Sequence, residues 1–136
     1  MRESKDSNNY VDWLHKAEED ELSLRAVLKG GAPSTACFLA QQIVEKLLKA
    51  LLVFYEKPFP RIHDLVALAA LVETIAPRIK EYKANIEFLS LYYAETRYPG
   101  DYPEITRSES EKAFNFALEV KEFVLKVIKE NSNVKS

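Results

Sequence analysis

Four side chains that could do chemistry stand close together in a segment interrupted by proline and glycine: Arg97, Tyr98, Asp101 and Tyr102. Proline and glycine favour a loop, and loops held by a rigid scaffold often carry function. An arginine can hold a phosphate through paired N–H donors, and tyrosine rings can stack on a nucleic-acid base. The segment is therefore a candidate nucleotide or substrate site, with Arg97, Tyr98 and Tyr102 as the contacts.

The same segment also allows a structural interpretation, in which the arginine forms an ion pair and the tyrosines pack against the end of the molecule. The carboxylates within its reach would be Asp20, Asp101 and Glu104. Residue types alone leave both interpretations open.

A second candidate is a polar strip made by Gln41, Gln42, Glu45, Lys46 and Lys49. Residues three or four apart share one side of a helix, so these side chains form a narrow line along otherwise apolar sequence. Gln42, Lys46 and Lys49 are long hydrogen-bond donors and are candidate contacts for a phosphate and a base. The alternative is the solvated edge of an amphipathic helix.

Metal and cofactor sites are not indicated. The histidines His15 and His63 are far apart, and Cys37 lies among apolar residues, so no ligand spacing is present. We expect Cys37 in the core and His63-Asp64 at the start of a short helix, where Asp64 lies near the positive helix end.

The elements that position these residues follow from the distribution of glycine and proline. Three glycines and six prolines fall in four clusters and leave five long segments with helical spacing of apolar residues. The expected helices run from Asn8 or Asn9 to Gly30, Ser34 to Lys57, His63 to Ala76, Arg78 to about Thr96, and from Ser108 onward. The fold class is therefore all-α.

Three details of these helices carry predictions. In the first, Asp20 or Glu21 lies at the edge of the buried face and needs a partner from a neighbouring helix. The last begins with Ser108-Glu109-Ser110-Glu111, which predicts a capping box between Ser108 and Glu111. Its polar end, residues 130–136, is expected to fray.

The fourth segment has more apolar surface than one stripe requires. Phe88, Leu91 and Tyr92 are displaced from its main apolar face. Such an edge packs between two neighbours or forms a subunit interface. Phe88 and Tyr92 are therefore the candidate dimer-interface residues.

Three stretches, taken in order, resemble the HEPN family: Ala-Gln-Gln-Ile-Val-Glu-Lys-Leu-Leu-Lys-Ala-Leu-Leu at 40–52, His63-Asp64-Leu65, and Thr96-Arg97-Tyr98-Pro99. The resemblance implies an up-and-down four-helix bundle with an additional short helix, five in all, paired as a homodimer. It also implies that the protein acts together with a small nucleotidyltransferase. The chain lacks that enzyme's Gly-Ser and paired Asp-x-Asp, so the transferase would be a separate protein.

Many HEPN proteins are ribonucleases marked by Arg, four to six residues, then His. Arg2 precedes His15 by twelve intervening residues and Arg61 precedes His63 by one, while Arg97 is followed after four by Tyr102. Tyrosine, with a pKa of about 10, is a poor general base at neutral pH.

The resemblance thus implies a non-catalytic HEPN protein that binds a nucleotide or nucleotide-bearing substrate in a toxin–antitoxin or defence-like module. The alternatives are a degenerate ribonuclease that acts across a dimer and a protein-interaction scaffold. In some relatives a tyrosine of this motif accepts a nucleotidyl group, and the resemblance implies that Tyr102 could do the same.

Composition sets the remaining expectations. The chain has 136 residues, 47% of them hydrophobic, and 19 basic against 21 acidic side chains. We expect one domain over 1–136 with a core over about 9–130, and a net charge of −2 disfavours wholesale nucleic-acid binding. The chain has one cysteine, and its N-terminal stretch lacks the apolar core of a signal peptide, so we expect a cytoplasmic protein. No apolar run reaches about 18 residues, so we expect no membrane span.

Overall fold

The regular structure is helical throughout the residues described by the computed structural model, which are 8–93, 100 and 104–135, with side chains to 132. The five α-helices are α1 (Tyr10–Gly30), α2 (Pro33–Phe54), α3 (Leu65–Glu73), α4 (Lys83–Ser90) and α5 (Arg107–Lys135), with a 3₁₀ helix (Pro77–Tyr82) before α4. The predicted all-α fold with five helices is confirmed.

Helix α2 is the centre of the bundle. It contacts each of the other four α-helices, whereas α1 and α5 touch each other only slightly. Its apolar residues are buried around most of the circumference, and Cys37 is fully buried among them. A helix that is apolar on nearly all sides is stable only when neighbours cover it, which explains the central position.

Helix α1 begins and ends at signals present in the sequence. The Asn9 side chain accepts a hydrogen bond of 2.9 Å from the backbone N–H of Val11. Gly31 follows the helix with φ of 80°, a left-handed conformation that glycine adopts without steric cost. Since only Gly31 and Ala32 separate the helices, α1 and α2 form a tight antiparallel hairpin.

The fourth segment differs from the single helix that the sequence predicts. It begins as a 3₁₀ helix at Pro77 and becomes α-helical at Lys83. Side chains three apart eclipse each other in a 3₁₀ helix. This geometry aligns buried Ile79 with Tyr82, whose ring lies 5.1 Å from that of Phe123 on α5. The 3₁₀ helix also contacts α3, so this stretch packs on both α3 and α5.

The start of α5 is also corrected. The cap is Thr106, whose Oγ1 accepts a hydrogen bond of 3.0 Å from the Glu109 N–H, and Ser108 lies inside the helix. Glu111 instead pairs with Arg107 at 3.2 Å. The sequence holds two overlapping capping patterns, and the earlier one places Glu109 against the Tyr92 hydroxyl.

The C-terminal segment that is expected to fray is helical as far as residue 135. Helix α5 continues to Lys135, and the Asn131 side chain donates to the Val127 carbonyl at 2.8 Å. Among the residues described, no helix is long and apolar enough to cross a membrane.

Candidate functional site

The polar strip of α2 is covered by neighbouring elements, in contrast to a solvated helix edge. Gln41 is 0% exposed, Glu45 4% and Lys49 6%. Because α2 is packed on several sides, even its polar line faces other parts of the chain. Together with Asp20 from α1 and His63 from the segment before α3, these side chains form what we call the polar cluster: Asp20, Gln41, Gln42, Glu45, Lys46, Lys49 and His63.

Glu45 is the hub of the polar cluster. Its Oε2 accepts hydrogen bonds from Lys49 Nζ at 2.9 Å and from His63 Nδ1 at 2.8 Å. Gln42 Nε2 lies 3.4 Å from the other oxygen, Oε1. The buried carboxylate is therefore compensated by one ammonium group and by neighbouring N–H donors, as a buried charge requires.

Gln41 ties the segment before α3 to α2. Its Nε2 donates to the His63 carbonyl at 3.3 Å, and its Oε1 accepts from Gln42 Nε2 at 2.7 Å. One residue later, the Asp64 carboxylate accepts hydrogen bonds from the backbone N–H groups of Val66 and Ala67. The predicted capping role of Asp64 is confirmed.

Both lysines of the polar cluster have a carboxylate partner. Lys46 is bonded to Asp20 of α1, and Lys49 to Glu45. The Lys49 ammonium also lies 5.4 Å from the centre of the Trp13 ring, within the range of a cation–π interaction. The candidate contacts Gln42, Lys46 and Lys49 are thus brought together, but each is already bonded within the chain.

His63 is the accessible part of the polar cluster. Its side chain is 56% exposed, and its ring stacks on Tyr93 with centroids 5.3 Å apart and planes 15° from parallel. The sequence predicts His63 only beside a helix cap. The residues around His63 in the sequence do not predict its contact with Glu45, because that contact depends on how the segment before α3 crosses α2.

The loop candidates Arg97, Tyr98 and Tyr102 lie outside the described residues. Tyr93, on which His63 stacks, precedes Arg97 by four residues in the sequence.

The two dimer-interface candidates occupy different environments. Tyr92 is 4% exposed and its hydroxyl donates to the Glu109 carboxylate, so it is buried within its own chain. Phe88 is half-buried, edge to face with Phe116 at 5.4 Å. The neighbouring Leu91, 58% exposed, carries the apolar edge that faces outward.

A separate ionic cluster joins α1 to α5. The Glu21 carboxylate accepts hydrogen bonds from Arg25 Nη2 at 2.8 Å and from Lys121 Nζ at 2.6 Å. Burial, the largest single effect, raises the pKa of Glu21, but the bonds and charges of Lys121 and Arg25 together hold it below the usual 4.5. The predicted rim carboxylate is therefore confirmed, with Asp20 and Glu21 bonded to two different helices.

A cleft of about 480 Å³ lies apart from the polar cluster and shares no lining residue with it. Its wall includes Tyr55, Tyr82, Arg78, Phe123 and Lys126. Burial raises the pKa of the Tyr55 hydroxyl above its usual value. Among the described residues, no three His, Cys, Asp or Glu side chains are grouped in a way that could hold a metal ion.

Comparison with known proteins gives the family. The model of the HEPN domain matches residues 10–128. Among solved structures, ST0689, an archaeal HEPN homologue, is 27% identical with a TM-score of 0.70, and TT1696 from Thermus thermophilus is 27% identical with a TM-score of 0.74. Each alignment covers 88% of this chain and 98% of the other. A search of curated proteins found no match. Because the family match spans most of the chain and includes the whole polar cluster, the protein belongs to the HEPN domain family.

Proposed function

We propose that this HEPN protein binds a nucleotide or nucleotide-bearing substrate and is not itself an enzyme. The binding residues would be those of the polar cluster, chiefly Gln42, Lys46 and Lys49, together with Arg97, Tyr98 and Tyr102 of the loop. It would act with a separate nucleotidyltransferase in a toxin–antitoxin or defence-like module.

The observation that carries the binding role is the buried chain from Lys49 through Glu45 to half-exposed His63. Replacing a buried ion pair with apolar side chains of similar volume is often neutral or stabilises the fold by about 1 to 4 kcal/mol, so a buried pair is weak evidence of a purely stabilising role. Glu45 links this pair to a half-exposed histidine that stacks on a tyrosine, and fixed polar groups of this kind can orient a ligand.

The family membership supports the choice of partner. HEPN proteins often accompany a small nucleotidyltransferase, and this sequence has no Gly-Ser with a paired Asp-x-Asp to serve metal-assisted nucleotidyl transfer. A homodimer is part of the same proposal. Exposed Leu91 and half-buried Phe88 offer an apolar edge through which two copies would meet.

A thermal-shift panel tests the binding role. Wild type, Arg97→Ala and Lys129→Ala are heated with ATP, other nucleotides and short RNA. A ligand bound only by the folded state raises the midpoint. We expect a shift with a nucleotide that Arg97→Ala loses and that Lys129→Ala, changed at an exposed site on α5, keeps. No shift with any ligand at concentrations of about 1 mM would contradict nucleotide binding and favour the scaffold.

The ribonuclease alternative has its own test. Short RNA is incubated with wild type and Arg97→Ala, with and without EDTA. Because Tyr102 stands where the family's ribonuclease motif has histidine, we expect no cleavage. Cleavage that persists in EDTA and disappears in Arg97→Ala would replace the binding role with RNA hydrolysis.

A further inference from the structure

His63 is held in one orientation by contacts on three sides. Its Nδ1 bonds to Glu45, its backbone carbonyl accepts from Gln41, and its ring lies flat on Tyr93. The side chain is nevertheless more than half exposed. A fixed and accessible imidazole has lost its rotamer entropy before a ligand arrives, which lowers the cost of binding.

Glu45 determines which ring nitrogen carries the proton. The same Oε2 that faces His63 Nδ1 also accepts from the Lys49 ammonium, so this oxygen is an acceptor toward both groups. Nδ1 must therefore donate. In the neutral imidazole, Nε2 then carries the lone pair and accepts. No side chain among the described residues bonds to Nε2.

The charges of the polar cluster argue against a phosphate at this position. Lys46 is paired with Asp20 and Lys49 with Glu45, so each ammonium is matched by a carboxylate. A phosphate would bring further negative charge beside Asp20 and Glu45, whose charges already balance those of the two ammonium groups. A neutral donor that approaches Nε2 disturbs neither pair.

We propose that His63 Nε2 is the atom through which the polar cluster recognises the nucleoside part of its ligand, by accepting a hydrogen bond from a sugar hydroxyl or an exocyclic amine. The inference rests on the proposed nucleotide binding and sharpens it. In this proposal the polar cluster contacts the nucleoside part of the ligand, and the phosphates lie outside the polar cluster.

Calorimetric titration of wild-type protein at about pH 8 tests the inference. The probes are ATP, adenosine, 2′-deoxyadenosine, inosine and tripolyphosphate. We expect adenosine to bind within about threefold of ATP, and tripolyphosphate not to compete with adenosine. A loss of about tenfold is expected for the probe that lacks the recognised donor, because one unmade hydrogen bond costs that order of affinity. Weakening with 2′-deoxyadenosine identifies the hydroxyl, and weakening with inosine identifies the amine.

Two substitutions separate Nε2 from the other contacts of the ring. His63→Asn keeps an amide N–H toward Glu45, and His63→Phe keeps an aromatic ring on Tyr93; both lack Nε2. We expect each to weaken adenosine binding by about tenfold, whereas His15→Asn, at the other histidine, leaves it unchanged. Nitrogen NMR of the two histidines gives a readout that needs no substitution at the site. His63 should be in the Nδ1–H form, and its Nε2 signal should move when adenosine is added.

The outcomes distinguish the inference from the proposed function. If ATP binds while adenosine does not, or if both His63 variants bind adenosine as wild type does, the inference is wrong and nucleotide binding stands. If neither ATP nor any nucleoside binds to wild type, and no nucleotide shifts the midpoint in the thermal-shift panel, the proposed function is wrong and the inference falls with it.

Discussion

Glu45 and His63 are 18 residues apart in the sequence, yet their side chains share a hydrogen bond of 2.8 Å. Glu45 lies on the central helix and is buried, while His63 precedes α3 and is half exposed. The bond connects the interior of the bundle to its surface. Lys49, one turn further along α2, also bonds to the Glu45 carboxylate.

Removing the Glu45 carboxylate should destabilise the fold. Glu45→Ala leaves the Lys49 ammonium buried without its partner, and breaking a buried pair in this way costs about 3 to 5 kcal/mol. We expect the free energy of unfolding, measured by urea denaturation, to fall by about 3 kcal/mol. Asp20→Ala is the matched control, because its pair with Lys46 is less buried than the pair of Glu45 with Lys49 and should contribute less to the free energy of unfolding.

Replacing both members of the buried pair should recover much of that loss. Glu45→Leu combined with Lys49→Met fills similar volume and leaves no unpaired charge. If the double variant is no more stable than Glu45→Ala, the cost arises from something other than the orphaned ammonium group.

Acid should weaken the link between α1 and α5 through Glu21. Its pKa is lowered in the folded state, so the stabilisation is complete above the ordinary value of 4.5 and is lost as the pH falls through the folded pKa. We expect the difference in free energy of unfolding between wild type and Glu21→Gln to shrink between about pH 6 and about pH 3. A difference that stays constant over this range would show that the carboxylate charge contributes nothing.

The start of α5 can be tested with two neighbouring hydroxyl residues. Thr106→Ala removes the acceptor of the Glu109 N–H and should lower the free energy of unfolding by about 1 kcal/mol. Ser108→Ala, inside the helix and exposed, should change it by less than about 0.5 kcal/mol. If Ser108→Ala lowers the free energy of unfolding more than Thr106→Ala does, the cap is Ser108 and the predicted capping box is correct.

The proposed dimer is best tested at Leu91. Charged substitution of Tyr92 would disrupt the core and confuse unfolding with dissociation, because Tyr92 is buried in its own chain. Leu91→Glu places a charge on the exposed edge instead. We expect wild type to be dimeric and Leu91→Glu monomeric by light scattering, with Leu22→Glu, an exposed leucine on α1, as the dimeric control. A dimeric Leu91→Glu would move the interface to another face.

Local sequence rules determined the helices and the residues that cap α1 and α3. Asn9, Gly31 and Asp64 act on backbone groups within a few residues of themselves, so their roles can be predicted without knowing the fold. The burial of Cys37 follows in the same way from apolar spacing along α2. The family resemblance, carried by short stretches of α2 and of the segments after α2 and α4, added the expectation of a helical bundle with an additional short helix.

Only the tertiary structure decided which polar groups meet. His63 reaches Glu45 across 18 residues, and Lys121 reaches Glu21 across 100. Hydrophobic spacing places a side chain on a face of its helix, but it carries no information about which distant polar atom lies opposite. The polar strip of α2 was therefore visible in the sequence as a line of residues. That it is buried, internally paired and open to solvent mainly through His63 depends on how α1 and the segment before α3 cover α2, because burial is a property of the packed chain.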